Sequence, residues 1–183
     1  VDRRQRQMCI RDSLSAGAFV PEVVLEHPEV VSQLHREFIR AGTDIVQAFT
    51  YYGHREKLRL IGKEDLLEPL QKNALQIAKD ARDEFKDLDL LVCGDVANTN
   101  IYNPDDKKSH IECQKMYEEQ VGWAKEAGVD FIVAETINWT GEMKIALKAI
   151  KDAGMIAVTN FSIKKGDKTR EGHTPGDACK IME

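Results

Sequence analysis

Between residues 28 and 40 apolar side chains recur at Val30, Val31, Leu34, Phe38 and Ile39, the spacing of one helix face. Ala41-Gly42 follows, and glycine at that place is the usual left-handed stop of a helix. The next stretch, TDIVQAFTYYGHREKL (43–58), opens as an apolar strand over Ile45 to Phe49 and closes as a charged helix. Pro69 fits the first turn of another helix, with Leu70, Ala74, Ile77, Ala78, Ala81 and Phe85 on one side. LDLLVCGDV (88–96) then reads as a fully buried strand, and SHIECQKMYEEQVGWAKEAG (109–128) as a long amphipathic helix. VDFIVAET (129–136) is a strand, TGEMKIALKAIKDAG (140–154) a helix, and MIAVTNFS (155–162) a strand. Thr174-Pro175 opens a last helix.

A phrase of helix, Ala-Gly and apolar strand thus recurs at Ala41-Gly42, Ala127-Gly128 and Ala153-Gly154. Near-continuous apolar strands imply a parallel sheet buried on both faces. Strict alternation with helices leaves an α/β doubly wound sheet or a barrel. No glycine-rich phosphate loop follows any strand, which turns the choice toward a (β/α)8 barrel of the TIM type. Polar or aromatic residues sit at the C-terminal strand ends, where such a barrel keeps its chemistry: Thr50-Tyr51-Tyr52, Asp95 with Asn98, Glu135-Thr136 and Asn160. Four strands and five helices are half of the eight units, and a full barrel takes about 250 residues. The expectation is therefore a partial barrel, strands 2–5, beginning after the first strand and ending inside the fifth helix.

Composition changes this picture little. The chain of 183 residues is 42% hydrophobic and 31% charged, with a net charge of -5, which argues against a nucleic-acid partner. No apolar run approaches the roughly 20 residues of a membrane helix. The cysteines Cys9, Cys93, Cys113 and Cys179 contain no Cys-x-x-Cys pair, and scattered thiols suit a reducing cytoplasm. Residues 1–13, VDRRQRQMCIRDS, carry four Arg without apolar period. They resemble the translated read-through of a sequencing adaptor and are set aside as a non-native or disordered leader; residues 14–183 form the domain.

The chemistry centres on the strand ends. Glu135 closes DFIVAE, and a carboxylate there needs a partner: a substrate ammonium or a basic side chain. Tyr51 and Tyr52 are either loop packing or an aromatic cage for a quaternary ammonium, to which Phe19 adds a ring. Trp139 is a candidate second wall, whereas Trp123 lies on a helix face and reads as core. The five histidines have no metal-ligand spacing, and His27 and His35 read as surface or helix-start residues. Asp105-Asp106 before Lys107-Lys108 reads as a solvated helix start.

Several stretches together resemble a known family. LEHPEVVSQLHREFIRAGTDIVQAFTYYGHREKL, GDVANTNIYNPDD, AGVDFIVAETINWTGE and REGHTPGDAC are similar, in order, to the homocysteine S-methyltransferases, most of all the betaine–homocysteine branch. The resemblance implies a zinc-dependent (β/α)8 barrel that moves a methyl group from betaine or a related onium donor to homocysteine, forming methionine. It implies that Tyr51, Tyr52 and Phe19 line the donor site and that Glu135 holds the homocysteine amino group. Phe19 stands where the betaine enzymes have Trp, and Ala48 where they have Thr. The zinc cysteines of the family fall after the sixth strand and near the end of the barrel, and Cys93, Cys113 and Cys179 do not match them. Zinc is thus expected in a complete protein and not on this chain, with homocysteine and the onium compound as small-molecule partners and self-association left open. The alternatives are another barrel enzyme, a lyase or aldolase using Glu135, and a non-catalytic fragment.

Overall fold

The computed structural model describes residues 22–163 and 166–183. A short turn of helix, α1 (Val23–Glu26), leads into α2 (Pro28–Arg40), and strand β1 (Ile45–Gln47) follows. Helix α3 (Arg55–Leu60) and a 3-10 turn (Glu64–Leu66) precede α4 (Leu67–Asp83). Then come β2 (Leu91–Ala97), α5 (Lys107–Ala127), β3 (Phe131–Ile137), α6 (Thr140–Asp152), β4 (Ala157–Phe161) and α7 (Pro175–Met182). Residues 1–13 and Phe19 lie outside the described residues.

The strands pair in chain order, β1-β2-β3-β4, and every pair is parallel. A doubly wound sheet reverses its strand order at a switch point, and no reversal occurs among the described strands. Each Ala-Gly stop behaves as its sequence implies: Gly42, Gly128 and Gly154 have φ of 92°, 72° and 75°, which a side chain rarely adopts. Helix starts are also locally encoded. The Asp106 carboxylate accepts from the Lys108 amide at 2.9 Å, and Thr174 accepts from the Asp177 amide at 3.2 Å ahead of Pro175.

The helices cover one face of the sheet. Val46 and its register partner Val92, with Ile132 and Ala134 of β3, belong with Leu75, Val121 and Ile150 to the main core. At Gly94 a methyl group would stand 3.0 Å from the Ala124 Cβ, so glycine lets α5 lie against β2. Trp123 is partly buried against both apolar clusters, as its helix-face position suggested.

The other face differs from the expectation of burial on both sides. Ile45 and Leu91, paired in register, are each 43% exposed, and Val158 is 46% exposed. Side chains alternate across a strand, so this second face carries Ile45, Gln47, Leu91, Cys93, Asp95, Val133, Glu135 and Val158. Two further expectations need correction. Strand β1 ends at Gln47 rather than Phe49, because the Thr50 amide turns back to the Ala48 carbonyl at 2.8 Å. His35 is buried at 6% exposure rather than on the surface, because it shares the inner side of α2 with Val31 and Ile39; His27 does stand at the helix start.

Candidate binding site at the strand ends

The aromatic turn after β1 is held from both sides. The Ala48 amide donates to the Cys93 carbonyl at 2.9 Å, the last rung toward β2. The Thr50 hydroxyl then donates to the Asp95 carbonyl at 3.0 Å, and the Gly53 amide closes the turn on the Thr50 carbonyl at 2.7 Å. Within it Tyr52 takes a φ of 58°. The Tyr51 and Tyr52 rings stand 4.3 Å apart at 48°. They do not wall one cavity: Tyr51 lines a space of about 370 Å³ with Gln47 and Asp95, and Tyr52 lines a separate one of about 330 Å³. The Tyr52 ring already attracts a cation, since the Lys57 Nζ lies 4.3 Å from its centroid.

Glu135, only partly buried, has a neutral partner. The Gln47 side-chain amide donates to its Oε1 at 2.9 Å across the sheet face. Gln47 was absent from the sequence candidates, although its two-residue spacing from Ile45 puts it on that face. Asp95 lies one pleat further back on the neighbouring strand, since Ala97 is the register partner of Glu135. It is 3% exposed, and neither carboxyl oxygen accepts a hydrogen bond among the described residues. Burial and the charge of Glu135 push the Asp95 carboxyl well above the usual carboxylate range, which the nearby Gln47 amide only partly offsets. Tyr51 is pushed up to about 12, chiefly by burial, so it stays a phenol.

The second cavity opens between the ends of β2, β3 and β4. Tyr52, Tyr102 and Trp139 supply rings; Glu142 and Arg170 supply charge. Trp139 is therefore a wall, as its loop position suggested. Tyr102 stacks on His110 at 4.9 Å and 10° and leans on Trp139 at 5.9 Å, while the Arg170 guanidinium lies 5.5 Å from the Trp139 centroid. Gly141 makes room for this, because a methyl group there would meet the Tyr102 hydroxyl at 1.9 Å. Glu142, 2% exposed, accepts from the Thr99 amide at 2.7 Å, the Thr99 hydroxyl at 2.6 Å and the Tyr117 hydroxyl at 3.2 Å. Burial raises its pKa against these bonds. Non-glycine residues in the left-handed region cluster here: Tyr52, Asn100 and Thr136, at φ of 58°, 65° and 59°, stand on the cavity wall. Such a conformation costs on the order of 1–3 kcal/mol per residue and concentrates at functional sites.

The described thiols, Cys93, Cys113 and Cys179, do not fit a metal. Cys93 and Cys113 are buried and pushed up to about 12 and 11, chiefly by burial, so both stay protonated. Cys113 exchanges a hydrogen bond with the Thr99 hydroxyl at 3.1 Å, and Cys179 is exposed on α7. Among the described residues no three His, Cys, Asp or Glu side chains converge as a metal site would need.

Comparison with known proteins follows the same lines. A family profile described as homocysteine S-methyltransferase matches residues 5–183. Betaine–homocysteine S-methyltransferase 1 of Sus scrofa is 35% identical over 174 residues, 92% of this chain and 60% of its own length. That of Rattus norvegicus is also 35% identical over 174 residues, covering 92% and 41%. The chain thus spans about half the length of these relatives. The oxidized form of the homocysteine methyltransferase MmuM from Escherichia coli superposes with a TM-score of 0.81 at 19% identity, over 97% of this chain and 66% of that one. A metallated form of MmuM gives the same TM-score and identity over 99% and 68%. At that identity the likeness speaks for the fold.

Proposed function

The chain belongs to the homocysteine S-methyltransferase family, and on that premise we propose that it supplies strands 2–5 of a (β/α)8 barrel that methylates homocysteine from an onium donor such as betaine. The observation that carries the reading is the pairing of family membership with two features near the strand ends: the Glu135 carboxylate held by Gln47 on the sheet face, and the neighbouring cavity lined by the rings of Tyr52, Tyr102 and Trp139. Glu135, oriented by Gln47, receives the substrate ammonium; the bond at 2.9 Å fixes the carboxylate before the ligand arrives. Tyr52, on the cavity wall, and Tyr51, packed against it at 4.3 Å, are assigned to the methyl donor, whose cation cannot donate hydrogen bonds and is held by ring faces instead. Phe19 is assigned to the same donor site.

Transfer forms a sulfur–carbon bond and breaks the onium–carbon bond, releasing a neutral amine or thioether. The residues of this chain bind and orient the two reactants for it. The half-exposed second sheet face, with Ile45, Leu91 and Val158, is the inner wall that further barrel strands cover. Zinc, implied by the resemblance, is assigned to residues outside this chain, since the described thiols do not fit. Free thiols suit the cytoplasm.

The test is the complete reading frame that contains these residues, assayed for methionine from homocysteine with betaine. Glu135→Gln is expected to raise the KM for homocysteine at least tenfold and leave that for betaine within about threefold. A complete protein that forms no methionine from any onium donor would overturn the reading.

A further inference from the structure

Asp95 is a buried carboxyl that the reading above leaves unused. It is 3% exposed, and neither carboxyl oxygen has a hydrogen-bond partner among the described residues. Such a group is costly to keep in a fold unless a ligand supplies the partner. Asp95 lines a cavity of about 370 Å³, within the range of ligand sites, together with Gln47 and Tyr51. His35 of α2 lines the same cavity, and its Nε2 is likewise buried without a partner among the described residues. Two unpartnered polar groups on one cavity point to a polar ligand rather than to packing.

The sheet places a second carboxylate beside the first. Asp95 pairs in register with Val133, and Glu135 follows two residues on, on the same face. The Gln47 amide donates to the Glu135 Oε1 at 2.9 Å and also acts on Asp95, so it stands between the two. Burial first, then the charge of Glu135, hold the Asp95 carboxyl well above the usual carboxylate range. The other titratable neighbours are uncharged near neutrality. Cys93 on β2 and Tyr51 after β1 are each pushed up to about 12, chiefly by burial, and burial lowers His35 on α2 to about 4. Among the described residues no cation acts on Asp95.

Resting on the reading above, we propose that Asp95 is the second carboxylate of the homocysteine site: with Glu135 it receives the substrate ammonium, which enters in exchange for the Asp95 proton. An ammonium carries three N–H donors on one charge, enough for both carboxylates. The cation between them offsets the repulsion that keeps Asp95 protonated in the free protein. The exchange balances simply. The Asp95 O–H bond breaks, its electron pair stays on the carboxylate, and one proton leaves to solvent for each ammonium bound. Affinity therefore rises by about tenfold per pH unit while Asp95 is protonated in the free protein, and levels off above that range. The pair also keeps the two reactants apart. A quaternary ammonium has no N–H for either carboxylate, so the methyl donor is left to the ring-lined cavity.

The experiment is calorimetric titration of the complete protein containing these residues with L-methionine, the expected product, which keeps the amino group and has no thiol to titrate. It is run from pH 5.5 to 7.5 in buffers of different ionisation heat, which counts protons released, and repeated on Asp95→Asn. The unaltered protein is expected to release protons on binding, and its affinity to rise at least fivefold across this range. Asp95→Asn should release none, stay level within about threefold, and bind at least tenfold more weakly at pH 7.5. Level affinity without proton release in the unaltered protein shows that Asp95 has a partner elsewhere; it overturns the exchange and leaves the methyl-transfer reading standing. An equal rise in Asp95→Asn overturns it as well, because another group then carries the proton. Failure of methionine to bind at any pH overturns the two-carboxylate receptor, and only the separate absence of methionine formation would take the methyl-transfer reading with it. The proton count needs no variant, and a thermal melt of Asp95→Asn separates lost binding from lost folding.

Discussion

Acidification should unfold this chain through two histidines that the fold holds neutral. His35 and His54 are 6% and 1% exposed, and the His35 Nε2 and both His54 ring nitrogens lack a hydrogen-bond partner among the described residues. Burial lowers each pKa from 6.5 to about 4, and at His54 the Lys57 ammonium adds to the shift while Glu56 opposes it. A group whose folded pKa lies below its unfolded value binds its proton in the unfolded chain first. Stability is therefore intact above pH 6.5, is lost as the pH falls from 6.5 to 4, and stays lost below. At about 1.4 kcal/mol per pKa unit, each histidine removes roughly 3 kcal/mol over that window. Two together approach the whole stability of an ordinary domain, about 5–15 kcal/mol. Asp95 and Glu142, whose pKa values are raised, work the other way, gaining stability as the pH falls. The histidine share is therefore isolated by substitution. Urea unfolding is measured at intervals from pH 7.5 to 4 for the unaltered chain, His35→Leu and His54→Phe. Each replacement changes stability at neutral pH by its own packing cost, but its curve should be flatter between pH 6.5 and 4 by up to about 1.4 kcal/mol per pH unit. An unchanged slope in either variant would show that its imidazole is not buried neutral in the fold.

Other consequences are tested by similar means. Asp95→Asn should raise stability at pH 8 by about 1–3 kcal/mol, because it removes an unpartnered buried carboxyl that ionises only at a cost; the gain should shrink toward pH 5, and a loss at pH 8 would mean that the carboxylate has a partner. Glu142→Ala strands the Thr99 amide and hydroxyl and weakens the hold on the Tyr117 hydroxyl, which keeps its bond to the Ala97 carbonyl at 3.2 Å. It should cost about 3–5 kcal/mol in urea unfolding, against about 1–2 kcal/mol for Glu142→Gln, whose amide oxygen still accepts; equal costs would refute the acceptor role.

The order of elements was legible because it is written in local chemistry. Period and punctuation locate α2, α5 and α6, since an apolar stripe must face a core and Ala-Gly must stop a helix, and Gly42, Gly128 and Gly154 adopt the left-handed conformation this implies. The strand-end position of Glu135 and the aromatic turn at Tyr51-Tyr52 were equally visible. His35 was not, because a single polar residue on an apolar helix face carries no sign of whether the neighbouring strand will cover it. The end of β1 depends on a turn bond from the Thr50 amide, and apolar residues continue past it, so the pattern runs on through Phe49.

What the residues alone determined is therefore the alternation of strand and helix and the kinds of side chain offered at the strand ends. The tertiary structure decided which of them meet. Parallel register brings Gln47 of β1 to Glu135 of β3 across the face of β2, 88 positions apart along the chain. It leaves Asp95 buried without a partner, sends adjacent tyrosines to two different cavities, and delivers Arg170 to Trp139 on a segment pinned to α6. Periodicity reports the face a side chain occupies on its own element; contacts between elements depend on register and close packing, which no local window contains.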